Sequence, residues 1–178
     1  MSGYQYYDNL LKGSLGRDLV KTMLEESGYT VCPYGWEDTL LDAMRRSKDT
    51  LKESSSNTER RIRRSPDLLV YDTQKTMMLV EVKARSKSPL KLNPEEILTL
   101  KEFWSDTVLV VVVPEENAFY AQRISELEIQ QNSLYPLSCF AKLQDVFTKV
   151  RPDCVSHYAR VALKIFGALG PEGVSNER

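Results

Sequence analysis

The sequence predicts an α/β fold, a three-layer α/β/α arrangement around a central mixed sheet of four to five strands, with C-terminal helices added. Three observations predict it. Two apolar, β-rich runs, Leu68–Tyr71 and residues 76–80, flank the polar tetrapeptide Asp72-Thr73-Gln74-Lys75, which is the pattern of an antiparallel hairpin. Asn93-Pro94-Glu95-Glu96 then reads as a helix start, with Asn93 as N-cap and Pro94 in the first helical position, for a helix reaching about Trp104. That helix feeds residues 107–113, whose unbroken β-branched character marks a strand covered on both faces. If this strand runs parallel to the second hairpin strand, the helix between them is a right-handed crossover.

The other elements follow in order. Residues 15–27 form an amphipathic helix with Leu15, Leu19, Val20, Met23 and Leu24 on its apolar face, stopped near Gly28. Residues 29–34 read as a strand, 36–52 as a second helix, and the serine-rich stretch 53–58 as a loop. Residues 118–124 suit a short strand, 137–150 and 152–169 look helical, and the chain from Gly170 looks frayed. Apolar residues at helical spacing in the last two stretches, among them Phe140, Leu143, Phe147, Tyr158 and Phe166, suit core or dimer contacts. The organisation is a core over residues 1–130 and a helical extension over 131–178 packed on the same domain.

With 178 residues and 42% hydrophobic content the chain suits one domain with a full core. The longest apolar run, Val108–Val113, is far too short to span a bilayer, and the N-terminus lacks the charged-then-apolar pattern of a secretory signal. Cys32, Cys139 and Cys154 are odd in number and widely spaced, so reduced thiols in a cytoplasmic or nucleoid-associated protein are expected, with neither a zinc site nor an iron–sulfur cluster. No Gly-rich phosphate loop, serine nucleophile elbow or second histidine beside His157 offers a rival catalytic centre.

A net charge of −1 conceals an asymmetry. Between Arg45 and Arg64 stand eight basic residues against three acids, and Lys83, Arg85, Lys87 and Lys91 follow with no acid among them. Both stretches adjoin Asp67 and Glu81 in sequence. If Asp72 pairs with Thr76 at the hairpin tip, the register carried back sets Asp67 opposite Glu81, with Cβ atoms roughly 5 Å apart. Side chains alternate, so Lys83 joins Glu81 on one face while Val80, Val82 and Ala84 take the other. A hard divalent cation resolves the repulsion of two such carboxylates, and a lysine beside it can neutralise charge developing on a phosphate. The basic collar is what a polyphosphate ligand requires, with Arg60, Arg61, Arg63, Arg64, Arg85 and Lys87 as its candidate contacts. A solvated linker is the alternative for 60–64.

Ser65-Pro66-Asp67-Leu68-Leu69-Val70 followed by Leu79-Val80-Glu81-Val82-Lys83 resembles the PD-(D/E)xK nuclease superfamily, which holds restriction-endonuclease-like and Holliday-junction-resolvase-like enzymes. The N-terminal run Lys12-Gly13 through Asp18 to Gly28-Tyr29-Thr30-Val31 is similar to the resolvase pattern, though an ungapped count sets the resolvase glutamate on Arg17 and leaves Asp18 one position on. The resemblance implies a metal-dependent endonuclease hydrolysing DNA phosphodiester bonds. Asp67 and Glu81, with the Val82 carbonyl, would ligate Mg²⁺ or Mn²⁺, Lys83 would be the catalytic lysine, and Asp18 the helix-borne acid. Lys101 is a candidate for the polar residue that many relatives carry on the helix after that lysine. A homodimer is implied in the same way. The alternatives are a catalytically inactive nuclease-fold subunit that grips nucleic acid, and an RNA endonuclease.

Overall fold

The computed structural model describes residues 3–35, 57–72, 76–85, 88–130 and 132–168. The expected helix at 36–52, most of the loop at 53–58, the hairpin tip, Lys87 and the stretch from Gly170 lie outside them.

Helix α1 (Gly3–Glu26) begins well before residue 15 and buries Leu19, Val20, Met23 and Leu24. It ends in a Schellman turn: the Tyr29 amide donates to the Leu24 carbonyl and the Gly28 amide to that of Glu25, with Gly28 at φ 86°. A side chain at that φ would be strained, which is why glycine stops the helix here. Strand β1 (Thr30–Pro33) follows. Helix α2 (Asn57–Arg63) stands where the sequence suggested a loop at Thr58 and a possible linker beyond it. The hairpin is β2 (Leu68–Tyr71) and β3 (Met77–Ala84), closed by the Asp72 amide donating to the Thr76 carbonyl at 3.0 Å. Then come β4 (Leu90–Lys91), α3 (Pro94–Phe103), β5 (Val108–Val113), β6 (Ala118–Arg123), β7 (Leu134–Tyr135), β8 (Ala141–Lys142), the single turn α4 (Leu143–Val146) and α5 (Pro152–Ala168).

Among the described residues six strands, more than the four to five expected, form one mixed sheet in the order β1-β2-β3-β5-β6-β8. Only β3 and β5 are parallel, with Glu81 beside Leu109 and Lys83 beside Val111, and α3 is the crossover between them. Alternation along these two strands divides the core. Val80, Val82, Val108, Val110 and Val112 pack with α1 and α5 on one face. Leu109, Val111 and Val113 pack with Ile97 and Leu100 of α3 on the other, so β5 is buried throughout. β4 and β7 pair as a small second sheet that brings Leu90 and Tyr135 onto the α3 side.

The helix expected over 137–150 is not formed. The chain makes a 3-10 turn (Leu137–Cys139), then pairs as β8 with the outer edge of β6, and only then makes one helical turn. Its apolar residues have helical spacing but different destinations: Phe140 enters the core beneath α3, whereas Leu143, Phe147 and Val150 enter the one beneath α1. A single helix cannot reach both sides of a sheet, and the chain crosses its edge instead.

Candidate nuclease site

Asp67 is fixed from both sides. Its backbone carbonyl accepts from the Tyr34 amide at 2.9 Å and the Gly35 amide at 3.2 Å, tying it to the end of β1. Its Oδ2 accepts from the Val82 amide at 2.8 Å. The hairpin pairs Leu68 with Val80 and Leu69 with Leu79, so one step further along the same register Asp67 stands opposite Glu81. Val80 and Val82 are core residues under α1, which leaves Glu81 and Lys83 on the α3 face. Glu81 is a buried acid, 7% exposed.

The Lys83 Nζ lies 2.7 Å from Glu81 Oε1 and 2.7 Å from Glu96 Oε1. Glu96 belongs to the first turn of α3, where Asn93 caps by accepting from the Glu95 amide, and Arg64 Nη1 approaches the same Glu96 oxygen at 3.6 Å. Burial pushes the Glu81 carboxyl up from 4.5 to about 7; Lys83 opposes the shift, and the Asp67 carboxylate reinforces it. Lys83 goes up as well, because Glu81 and Glu96 outweigh the burial that would lower it. Glu96 goes down: burial is outweighed by Lys83, Arg64 and Arg85. The site therefore holds the Lys83 cation between two acids, of which Glu96 keeps its charge readily and Glu81 is poorly suited to keeping its own.

Other candidate residues are dispersed. Asp18 is exposed on α1, which covers the face opposite to the one Glu81 and Lys83 occupy, and it does not join Asp67 and Glu81 in a ligand cluster. The Arg60 and Arg61 guanidiniums lie over the Phe103 and Trp104 rings, 5.6 and 4.9 Å from the ring centres, with Arg60 3.7 Å from Glu102. Arg63 is the last residue of α2. Arg85 turns back to donate to the Lys91 and Ala84 carbonyls, and burial lowers its pKa. Lys101 donates to the Ser125 carbonyl at 3.4 Å, on a later turn of α3 than Glu96. Glu96 is thus the residue of this helix that meets the lysine. Sequence reasoning singled out Glu95-Glu96 only as a helix start, and the signal that could have found it is the phase of α3, which buries Ile97 and Leu100 and so turns Glu96, four residues before Leu100, toward the sheet while Glu95 stays exposed.

Among the described residues no three Asp, Glu, His or Cys side chains gather around one point. Two opposed carboxylates with oxygen donors alone suit a hard cation that keeps most of its water, and the burial that raises the Glu81 pKa penalises a negative charge that such a cation would offset. Also among the described residues, no helix is long and apolar enough to cross a membrane. No curated protein matches the chain. A family model described as archaeal Holliday junction resolvase (Hjc) matches residues 42–148, which is more than half of the chain and includes both acids, the lysine and Glu96. The chain belongs to the archaeal Holliday junction resolvase (Hjc) family, a family of nucleases.

Proposed function

We propose that the protein is a divalent-cation-dependent endonuclease that cuts DNA phosphodiester bonds in four-way junctions. The observation that carries this reading is the meeting of Asp67 and Glu81 across one hairpin with the Lys83 ammonium 2.7 Å from Glu81, and the family match supports the substrate. Asp67, Glu81 and the Val82 carbonyl would hold the ion. In an extended strand the N–H and C=O of one residue face the same neighbour, so the Val82 carbonyl shares the side on which its amide meets Asp67. Bound there, Mg²⁺ or Mn²⁺ would lower the pKa of a water and offset charge on a phosphate oxygen.

The protein's own groups have narrower tasks. The Asp67 backbone carbonyl is held by the Tyr34 and Gly35 amides and its carboxylate by the Val82 amide, which favours a fixed ligand position. Lys83, kept charged by two carboxylates, is unsuited to removing a proton from water and suited to donating hydrogen bonds to an oxyanion. Arg64, the residue after α2, has an ionic tie to this cluster, and Arg60, Arg61 and Arg63 would contribute attraction to the DNA backbone. Cutting a junction symmetrically needs two such sites, so the working unit is read as a homodimer.

The test is cleavage of a labelled four-way junction and a matching linear duplex in Mg²⁺, Mn²⁺ or chelator. Wild type should cut the junction only with a cation, and Asp67→Asn and Lys83→Ala should be slower by roughly 100-fold. Product that forms in chelator, or equally in both variants, refutes the mechanism. Equal cutting of the duplex refutes the substrate.

A further inference from the structure

We propose that Glu96 is the positioning residue of the lysine in this site. The inference rests on the nuclease reading above and deepens it. Three observations carry it. First, one oxygen of Glu96 lies 2.7 Å from the Lys83 ammonium, the same separation that Glu81 provides from the strand. Lysine has a flexible four-carbon stem, so one ion pair leaves its head a wide arc, and anchors on two different elements restrict it to one place. Second, both anchors are shielded: the side chains of Glu81, Lys83 and Glu96 are 10, 19 and 20% exposed, which removes most of the solvent screening that makes surface pairs weak. Third, Glu96 is itself fixed. It sits in the first turn of a helix whose N-cap is satisfied by Asn93, where the helix dipole favours a carboxylate, and Arg64 steadies the same oxygen from the other side.

The division of labour follows from the chemistry of Glu81. Its carboxylate is claimed twice, as a ligand for a cation and as the partner of Lys83. Whatever share of Glu81 a cation takes is lost to the lysine, whereas Glu96 lies on a different element and its oxygen faces the two cationic side chains Lys83 and Arg64. Glu96 therefore keeps the ammonium beside the reacting phosphate when Glu81 is engaged elsewhere. Lys101, one helical turn or more further along α3, is occupied by the Ser125 carbonyl and does not share this task.

The experiment has a readout that needs no activity. In protein free of metal and DNA, the ¹⁵Nζ–¹H signal of the Lys83 ammonium, assigned by its loss in Lys83→Arg, reports whether the head is held and shielded from exchange. Wild type should show the signal, Glu96→Gln should shift it or broaden it away, and Glu96→Asp should recover part of it, with thermal melts verifying that all three fold. On a junction substrate with Mg²⁺, Glu96→Gln should lower kcat by roughly 10–100-fold with KM within about twofold, the pattern of a lost outer-shell partner. Glu96→Asp should again lie between. A wild type without the signal, a signal unmoved in Glu96→Gln, or an unchanged kcat once the signal has moved overturns the proposal. A wild type that cuts nothing overturns the nuclease reading alone, and the ammonium signal still decides whether Glu96 anchors the lysine.

Discussion

Raising the pH from about 5 to about 8 should destabilise the metal-free protein, and Glu81 is the reason. Burial holds its carboxyl near 7 in the folded chain against 4.5 when exposed. Between those values the folded state keeps a proton that the unfolded state has released, so stability falls as pH rises, and the whole contribution is gone above about 7. The interval corresponds to about 3 kcal/mol. The other shifted groups in the cluster act elsewhere: Glu96, held low, supplies stability that is lost only as pH falls through its folded value, and Lys83, held high, loses its contribution only in the alkaline range. Among the shifted groups of the cluster, the slope between pH 5 and 8 thus belongs to Glu81. Urea unfolding in chelator at four pH values measures it, with an expected midpoint shift of about 1–2 M. Glu81→Gln keeps the shape, removes the titration, and should flatten the profile while exceeding wild type at the alkaline end. Mg²⁺ should flatten the wild-type profile as well, because a bound cation favours the charged carboxylate. Parallel profiles for wild type and Glu81→Gln would refute the electrostatic account of the site.

Two further outcomes concern the scaffold. Helix α2 is seven residues long, too short to persist unaided, and beside the exposed Arg60 contacts to Phe103 and Glu102 it is attached by Arg61 on the Trp104 ring and the Trp104 indole N–H donating to the Arg61 carbonyl at 3.3 Å. Trp104→Ala should therefore loosen α2 and speed proteolytic cutting within residues 57–64 several-fold, and an unchanged cutting rate would show that the Arg60 contacts to Phe103 and Glu102 suffice to hold the helix. At Gly16 a Cβ would come 3.2 Å from the Cβ of Ala84, at the end of the strand that carries Lys83. Gly16→Leu should cost about 1–3 kcal/mol in denaturant unfolding by pushing α1 off the sheet; a loss under about 0.5 kcal/mol would mean that the contact can relax.

How much of this was legible in the sequence depends on how far the information lies along the chain. The hairpin register needed only the tip pair Asp72 and Thr76 and a period of two, and it set Asp67 against Glu81 before any tertiary contact was considered. The N-cap at Asn93 and the fully buried β5 were equally local in origin, each following from residue types within a few positions, whereas the parallel pairing of β3 with β5, which sets Val80 beside Val108, was only a condition in the sequence and was decided by the fold. The arginines were a harder case. Arg60 and Arg61 read as contacts for a polyphosphate or as linker, and they stack on Phe103 and Trp104, some forty residues away, a docking that no periodicity within 57–64 announces.

Glu96 shows the same limit at the site itself, and it bears on what the charge asymmetry means. Counted along the sequence, the segment up to Arg64 is strongly basic; counted in space, Arg60 meets Glu102 while Arg64 and Lys83 meet Glu96. Part of the apparent collar is therefore balanced by acids of α3, contributed by the crossover helix rather than by the hairpin. A neutralised collar attracts DNA less steeply at long range than its residue count suggests, and an arriving phosphate must compete with Glu96 for Arg64 and with Glu102 for Arg60. Exchange of that kind favours a substrate that presents several phosphates in the right places over any passing duplex, because each displaced carboxylate has to be replaced by a well-placed anion. Selectivity in this molecule would then reside less in how many arginines it carries than in which of them are already paired.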